Sequence, residues 1–446
     1  MAQTQNASAS TPPAASAVAL EQASARVLTT GLQAPWDMVL GADGHLWVTE
    51  RQGKTITRVN LKDGSKKPVI TIDEVFVGPQ HEGLLGLALA PDFLKPRSSN
   101  ALYVAYTYKT GEQEYAKIVR LQYNPASQTA TVAATVIDKL PAGSDHNAGR
   151  LRFGPDGKLY YTIGEMGNNQ FANKYKPIEA QRLPSAAEVQ SKDFAAYVGK
   201  SLRLNADGSI PADNPVINGV RSHVFTYGHR NPQGLVFVGN KLFSSEQGPN
   251  SDDEVNLLQA GGNYGWPHVA GYVDDQSYEY VNYSASKQRP KEGDPTDVQP
   301  QRESDWKGKQ IDPLKTFFTV SRDYSFKDEA CGNLTYICWP TIAPASITYY
   351  PANGSNAYWR NSLIVSSLKN GVLYVLPMNS SKTNVQGDVR SYFHTANRYR
   401  HTVVSPDGSK LYVATDVAGN VIGRDGKPTG KLENPGSILE FTLQAR

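Results

Sequence analysis

A degenerate unit recurs along this chain: a turn containing Asp-Gly or Pro-Asp, a Lys or a small residue, an apolar-aromatic run, then polar residues and a second such run. It reads as GADGHLWVTERQGKTITRVN, APDFLKPRSSNALYVAYTY, GPDGKLYYTIGEMG, VGNKLFSSEQGPNSDDEVNLL, WRNSLIVSSLKNGVLYVLPM and SPDGSKLYVATDVAGN, about six copies. A unit that cannot bury its apolar face alone must stack on its neighbours, so this pattern constrains the fold more than any composition figure. Asp-Gly pairs tolerate the positive φ of tight hairpin turns, and runs such as LYVAYTY and KLYYTIG are β-formers of strand length. Helical periodicity is weak, with SAAEVQSKDFAAYVGKSL the best candidate for a helix. With 38 Gly and 28 Pro, these strands predict an all-β chain, a six-bladed β-propeller of four-stranded antiparallel sheets rather than a sandwich.

The spacing widens between the fourth and fifth copies, where residues 264–308 are too polar and Pro-rich for an ordinary blade. They are expected to form a long functional or interface insertion in a single domain spanning 27–446. Residues 1–26 are rich in Ala, Ser, Thr and Gln and lack the apolar centre of a signal peptide. They are expected to be a flexible tail, behind a start Met added after removal of a leader. No apolar run approaches a membrane span, and 45 Lys+Arg against 42 Asp+Glu is too even for a nucleic-acid surface. A small-molecule partner is expected.

Propeller loops converge at the channel mouths, so distant residues can share one site. Four cations, Lys369, Arg230, Arg398 and Arg400, come from different repeats. If they met in one cavity they would call for a polyanionic ligand; otherwise each pairs locally or lies in solvent. Asp252, Asp253, Glu254 and Asp274 offer hard oxygens that favour calcium over zinc, or else a solvated acidic loop. His146, between Asp145 and Asn147, is a proton acceptor, a metal ligand or a loop residue. Cys331 and Cys338, the only cysteines, suggest a short disulfide loop and an oxidising compartment, with two unrelated thiols as the alternative.

The runs DHNAGRL, YYTIG, GHRNPQGL, SEQGPNSDDE, GGNYGWP, CGNLTYICWPT, SLKNGV, NRYR and SPDG resemble the soluble quinoprotein glucose dehydrogenase family over roughly residues 28–446. The resemblance implies a propeller that binds pyrroloquinoline quinone (PQQ) through calcium (Ca2+), as a periplasmic or secreted homodimer. It would oxidise the C1 hydroxyl of aldoses to the lactone and pass electrons to an external acceptor. By similarity, Lys369, Arg398, Arg400, Arg230, Asn231 and Thr341 hold the quinone, whose three carboxylates would explain the cations. Gly248 and Pro249 resemble the carbonyl ligands of the cofactor calcium. Asp253, Glu254, Tyr264, Ala270, Tyr272, Asp274 and Glu303 resemble structural calcium ligands. His146 matches the general base, Glu165 is placed to orient it, and Arg230 to offset charge on the reduced quinone. Cys331 and Cys338 match a family disulfide, and Tyr336 and Trp339 match aromatics lining the sugar entrance.

Departures fall on the substrate face. His81 stands beside Gln80 where the family has Gln, Glu165 replaces Asp, and Phe171 replaces an aliphatic residue next to Gln170. With Asp145, these residues are expected to contact the sugar, where each such change shifts discrimination by about 1 to 3 kcal/mol. A calcium-dependent propeller hydrolase such as a lactonase, and a non-enzymatic sugar-binding propeller, are the competing readings; neither gives the four cations a purpose.

Overall fold

The computed structural model describes residues 23–289, 296–332 and 334–444. Each copy of the repeat contributes to a four-stranded antiparallel sheet, and six such sheets follow one another along the chain. Blade 1 comprises Pro35–Leu40, His45–Glu50, Thr55–Asn60 and Lys66–Thr71, from the innermost strand outward. Blades 2 to 5 span 84–141, 151–227, 234–317 and 344–392 in the same order.

Blade 6 is assembled from both ends of the chain. Tyr399–Val404, Lys410–Thr415 and Ile438–Leu443 are completed by Ala23–Thr29, with Ala25 opposite Phe441 and Val27 opposite Leu439. Residues 23–26, expected in the tail on composition, are therefore strand; residues 1–22 lie outside the described residues. Low apolar content misled because this outermost strand needs only one paired edge, and Arg26 anchors it through Glu440 at 3.0 and 3.1 Å. Deleting residues 1–29 is expected to expose Ile438–Leu443 as an unpaired edge. A lower unfolding temperature and onset of light scattering would report it; unchanged unfolding would show that the ring does not need this closure.

The apolar core is a ring of wedges between neighbouring blades. Trp47, Val104 and Leu121 join blades 1 and 2; Tyr161, Ile118 and Leu202 join 2 and 3. Tyr160 and Leu235 pack between 3 and 4, Phe243 and Leu363 between 4 and 5, Trp359 and Phe441 between 5 and 6. Leu46 and Tyr412 close the ring between 6 and 1. Strands buried on both faces explain runs such as LIVSS, apolar or small throughout.

Two expectations are adjusted. The helix is only Ala186–Ser191, capped by the Ser185–Glu188 box and ended by Lys192 in the left-handed region at φ 57°. The chain then turns so that Phe194 and Tyr197 enter the core between blades 2 and 3, and continues into the strand Lys200–Leu204. The insertion lies inside blade 4, linking Asp253–Leu258 to Lys315–Phe317; residues 290–295 within it lie outside the described residues. A second excursion, 319–343, joins blades 4 and 5 and contains the disulfide between Cys331 and Cys338.

In an antiparallel blade, the loop entering the innermost strand and the loop leaving the second strand share one end. Leu151 pairs with Tyr161, Gly234 with Ser245, Pro344 with Ser367 and Tyr399 with Thr415. Residues just before the first member of each pair and just after the second therefore gather at one mouth. Beneath it Arg150, fully buried, spans the axis: it donates to the carbonyls of Gln233, Trp36 and Ala345 at 2.8, 3.3 and 2.9 Å and pairs with Asp37 at 2.8 Å.

Candidate active site

His146 precedes the innermost strand of blade 3 and Glu165 follows that blade's second strand, so the register brings them together. The His146 Nδ1–H donates to Glu165 in a short hydrogen bond. Glu165 is fully buried and also accepts the N–H groups of Gly167 and Asn168, both at 3.1 Å. Fixing the proton on Nδ1 makes Nε2 the nitrogen that can take a substrate proton. Gln170 Nε2 lies 3.4 Å from His146 Nε2 while its Oε1 accepts from Arg230 at 2.8 Å. The amide thus links the imidazole to the guanidinium.

Arg230, buried, also donates to the Gln247 carbonyl at 3.2 Å and lies over Trp266. Its loop hangs on Glu246, which accepts the Arg230 N–H and faces His229 Nδ1 at 2.8 Å. Lys369 donates to Thr341 Oγ1 at 2.7 Å and to the Trp339 carbonyl. Arg398 and Arg400 share Asp416, at 3.3 and 2.8 Å, and Arg400 also donates to Gln233 at 2.8 Å. Arg398 reaches the carbonyls of Leu368 and Asn420 at 3.3 and 2.8 Å, which joins it to the Lys369 loop. Among the described residues, Lys369 and Arg230 form no ion pair.

Burial of these charges shows in the titration. Lys369 is pushed down to about 7 by desolvation, opposed only by the field of Asp253. Arg398 is lowered by burial against the pull of Asp416, and Asp416 is held low despite burial by Arg400, Arg398 and Arg51. Polar atoms beside these cations lack hydrogen-bond partners among the described residues: Asn231 Oδ1, Gln233 Nε2 and Trp36 Nε1 are buried and unsatisfied. Buried polar groups are ordinarily paired, so donors, cations and an acceptor left open at one mouth fit a polar, multiply anionic ligand.

The acidic candidates divide into two groups. Asp253 accepts the N–H groups of Gly248, Ile342 and Ala343 at 2.8, 2.6 and 2.8 Å, tying the 248 turn to the Thr341 loop. Glu254 accepts the Gly271 N–H at 2.7 Å; Glu303 accepts those of Ala270 and Asp274 at 3.0 and 3.2 Å. Tyr264 stacks on His229, Tyr272 is half-buried, and Asp274 is exposed. A small cavity is lined by Gly248, Pro249, Glu254, Tyr264, Ala270 and Arg230, so the turn carbonyls and the Glu254 group border one space. Burial raises Asp253 to about 6, Glu303 to about 7 and Glu254 well above its ordinary value. Hard oxygens desolvated in this way suit a divalent cation. Among the described residues, no three His, Cys, Asp or Glu side chains converge, so a cation here would lean on carbonyls.

Around the mouth, His81 and Asp145 face each other at 3.1 Å. Phe171 and Tyr336 are exposed, Tyr336 accepts from Asn420 at 2.9 Å, and Trp339 is half-buried. Residues that sequence reasoning missed are Asp416, Glu246, Arg51, Gln233 and Gln247. A signal for two existed: Glu165, Glu246 and Asp416 all stand at or just after the second strand of their repeats, in YYTIGE, LFSSE and YVATD. Aligning the copies would have exposed that acidic register.

The chain is similar to known proteins over most of its length. A model of the glucose/sorbosone dehydrogenase family matches residues 32–300 and 324–423. Quinoprotein glucose dehydrogenase B of Acinetobacter calcoaceticus is 45% identical over 439 residues, covering 94% of this chain and 91% of that protein. An aldose sugar dehydrogenase of Escherichia coli is 27% identical over 87% of this chain and 89% of its own. The PQQ-bound structure of an aldose sugar dehydrogenase from Streptomyces coelicolor superposes with a TM-score of 0.63 at 26% identity, covering 95% and 99% of the two chains. These relatives are named as dehydrogenases, hence oxidoreductases. With its six-bladed scaffold and its matched length, the chain belongs to the glucose/sorbosone dehydrogenase family.

Proposed function

We propose that this protein is an exported, PQQ- and calcium-dependent dehydrogenase that oxidises the C1 hydroxyl of aldoses such as glucose to the lactone. The observation that carries the reading is the pairing of an imidazole whose Nδ1 is committed to Glu165 with two buried cations, Lys369 and Arg230, that form no ion pair among the described residues. Lys369, Arg398, Arg400 and Arg230 would hold the carboxylates of PQQ, with Asn231 and Thr341 beside them. The carbonyls of Gly248 and Pro249 would hold the cofactor's calcium. Structural calcium would use Asp253, Glu254, Tyr264, Ala270, Tyr272, Asp274 and Glu303. Bound quinone supplies a hydride acceptor polarised by calcium.

The chain's own residues do the rest. His146 Nε2 takes the proton of the C1 hydroxyl as the C1 hydrogen leaves with its electron pair. Glu165 stabilises the imidazolium that results. Arg230 offsets the negative charge that accompanies reduction. On reoxidation two electrons would pass to an external acceptor and two protons would reach solvent, one from His146 and one that had left C1 as hydride. Asp145, Gln170, His81, Phe171, Tyr336 and Trp339 line the sugar's approach. The disulfide supports a periplasmic or secreted location; a homodimeric state belongs to the same proposal.

The test is reconstitution. Purified cofactor-free chain is given calcium, PQQ, both or neither, and dye reduction by glucose is followed. Turnover only with both additives is expected. Lactone hydrolysis with calcium alone, or no turnover under any combination, would overturn the reading.

A further inference from the structure

His146 lies in the left-handed region at φ 46°, a conformation that a non-glycine residue keeps only when its surroundings impose it. Among its constraints is a shared hydrogen bond. The His146 backbone N–H points at two acceptors, Asp145 Oδ1 at 2.8 Å and His81 Nδ1 at 2.9 Å. The His81 backbone N–H in turn donates to the Ser144 carbonyl at 3.3 Å, so His81 is fastened to both sides of Asp145. The two imidazoles stack, with centroids 6.1 Å apart and planes at 27°. His81 Nδ1 is also 3.1 Å from Asp145 Oδ1. One nitrogen can serve this arrangement in only one of two ways. As a lone pair it accepts the His146 N–H; as N–H it donates to Asp145.

We infer that neutral His81 is a positioning residue whose Nδ1 accepts the His146 N–H and holds the imidazole-bearing turn, and that protonating His81 hands this nitrogen to Asp145 and releases the turn. The inference rests on the proposed role of His146.

Burial is the largest influence favouring neutral His81, and the surrounding charges are divided. Arg51 follows the second strand of blade 1, Arg400 sits on the innermost strand of blade 6, and His146 lies alongside; all three oppose a positive ring. Asp145 alone favours it, and is itself drawn on by His146 and Arg230. The neighbouring Glu82 carboxylate is turned to its own loop, accepting the Gln80 N–H at 3.2 Å. With burial dominant, His81 is brought down to about 4. Its folded value lies below the unfolded one, so this contribution to stability is present above the ordinary histidine range and is lost as pH falls toward 4. Glutamine would accept the same N–H without titrating; alanine would not accept it.

Two measurements separate the clamp from the activity it serves. In nitrogen-15 histidine spectra of the full cofactor-free chain, with His81 identified by its loss in His81→Gln, the Nε2–H tautomer is expected at neutral pH, titrating well below an ordinary histidine. The Nδ1–H tautomer, or ordinary titration, would overturn the inference. In the reconstituted holoenzyme, kcat/KM in short assays from about pH 8 to about pH 3.5 is expected to fall with two protons in the wild type and one in His81→Gln. Equal slopes would likewise overturn it. His81→Ala should lose about tenfold in kcat, most of it recovered in His81→Gln, while a change in KM reports the separate place of His81 on the sugar's approach. If no aldose is oxidised at any pH, the proposed function fails while the spectra still decide the clamp.

Discussion

His146→Gln is expected to lower kcat by about 10^2 to 10^4, the usual worth of a positioned general base. Glutamine fills a similar volume, so the buried loop should keep its shape, but it cannot hold a proton at neutral pH. Circular dichroism and quinone binding should be unchanged, because the quinone's proposed contacts lie on Lys369, Arg398, Arg400 and Arg230. Stopped-flow reduction of reconstituted enzyme by glucose measures the step directly. Near wild-type turnover would remove His146 from the chemistry and leave the buried cations without a partner reaction.

Asp416→Asn should produce the largest loss of stability of any single substitution at the mouth. Asp416 is the one carboxylate that Arg398 and Arg400 share, and the latter grips it through two bonds at 2.8 and 2.9 Å. Removing one partner of a buried charge group typically costs about 3 to 5 kcal/mol, since the remaining charges stay desolvated and unpaired. Asparagine keeps the volume but not the charge. Denaturant unfolding of the cofactor-free protein should show the lower midpoint with an unchanged slope, and adding PQQ with calcium should recover part of it. A midpoint equal to wild type would mean that solvent already neutralises the arginines.

Much of the fold was legible because each blade is a local object. Asp-Gly turns and strand-length runs announce hairpins, and their recurrence leaves few ways to bury every face except a closed ring. The errors came where local signals mislead. The strand Ala23–Thr29 pairs with Ile438–Leu443 across the whole length of the chain, and no neighbouring residue hints at that pairing. SAAEVQSKDFAAYVGKSL has helical periodicity over a longer span than its helix, because core packing of Phe194 and Tyr197 and the onset of a strand override propensity after Lys192.

The candidate site divides along the same line. Residue types were readable: an imidazole, an acid after the YYTIG strand, four cations in separate repeats, and a loop of hard oxygens. Sequence by itself determined the repeat, the strand-rich architecture and that chemical inventory, because these depend on neighbours a few positions apart. Only the tertiary structure decided that Glu165 meets His146, that Asp416 serves two arginines while Lys369 and Arg230 form no ion pair among the described residues, and that His81 Nδ1 meets the backbone N–H of a residue 65 positions away. Those facts follow from strand register and ring closure, and such long-range geometry is fixed only when every blade packs against the next.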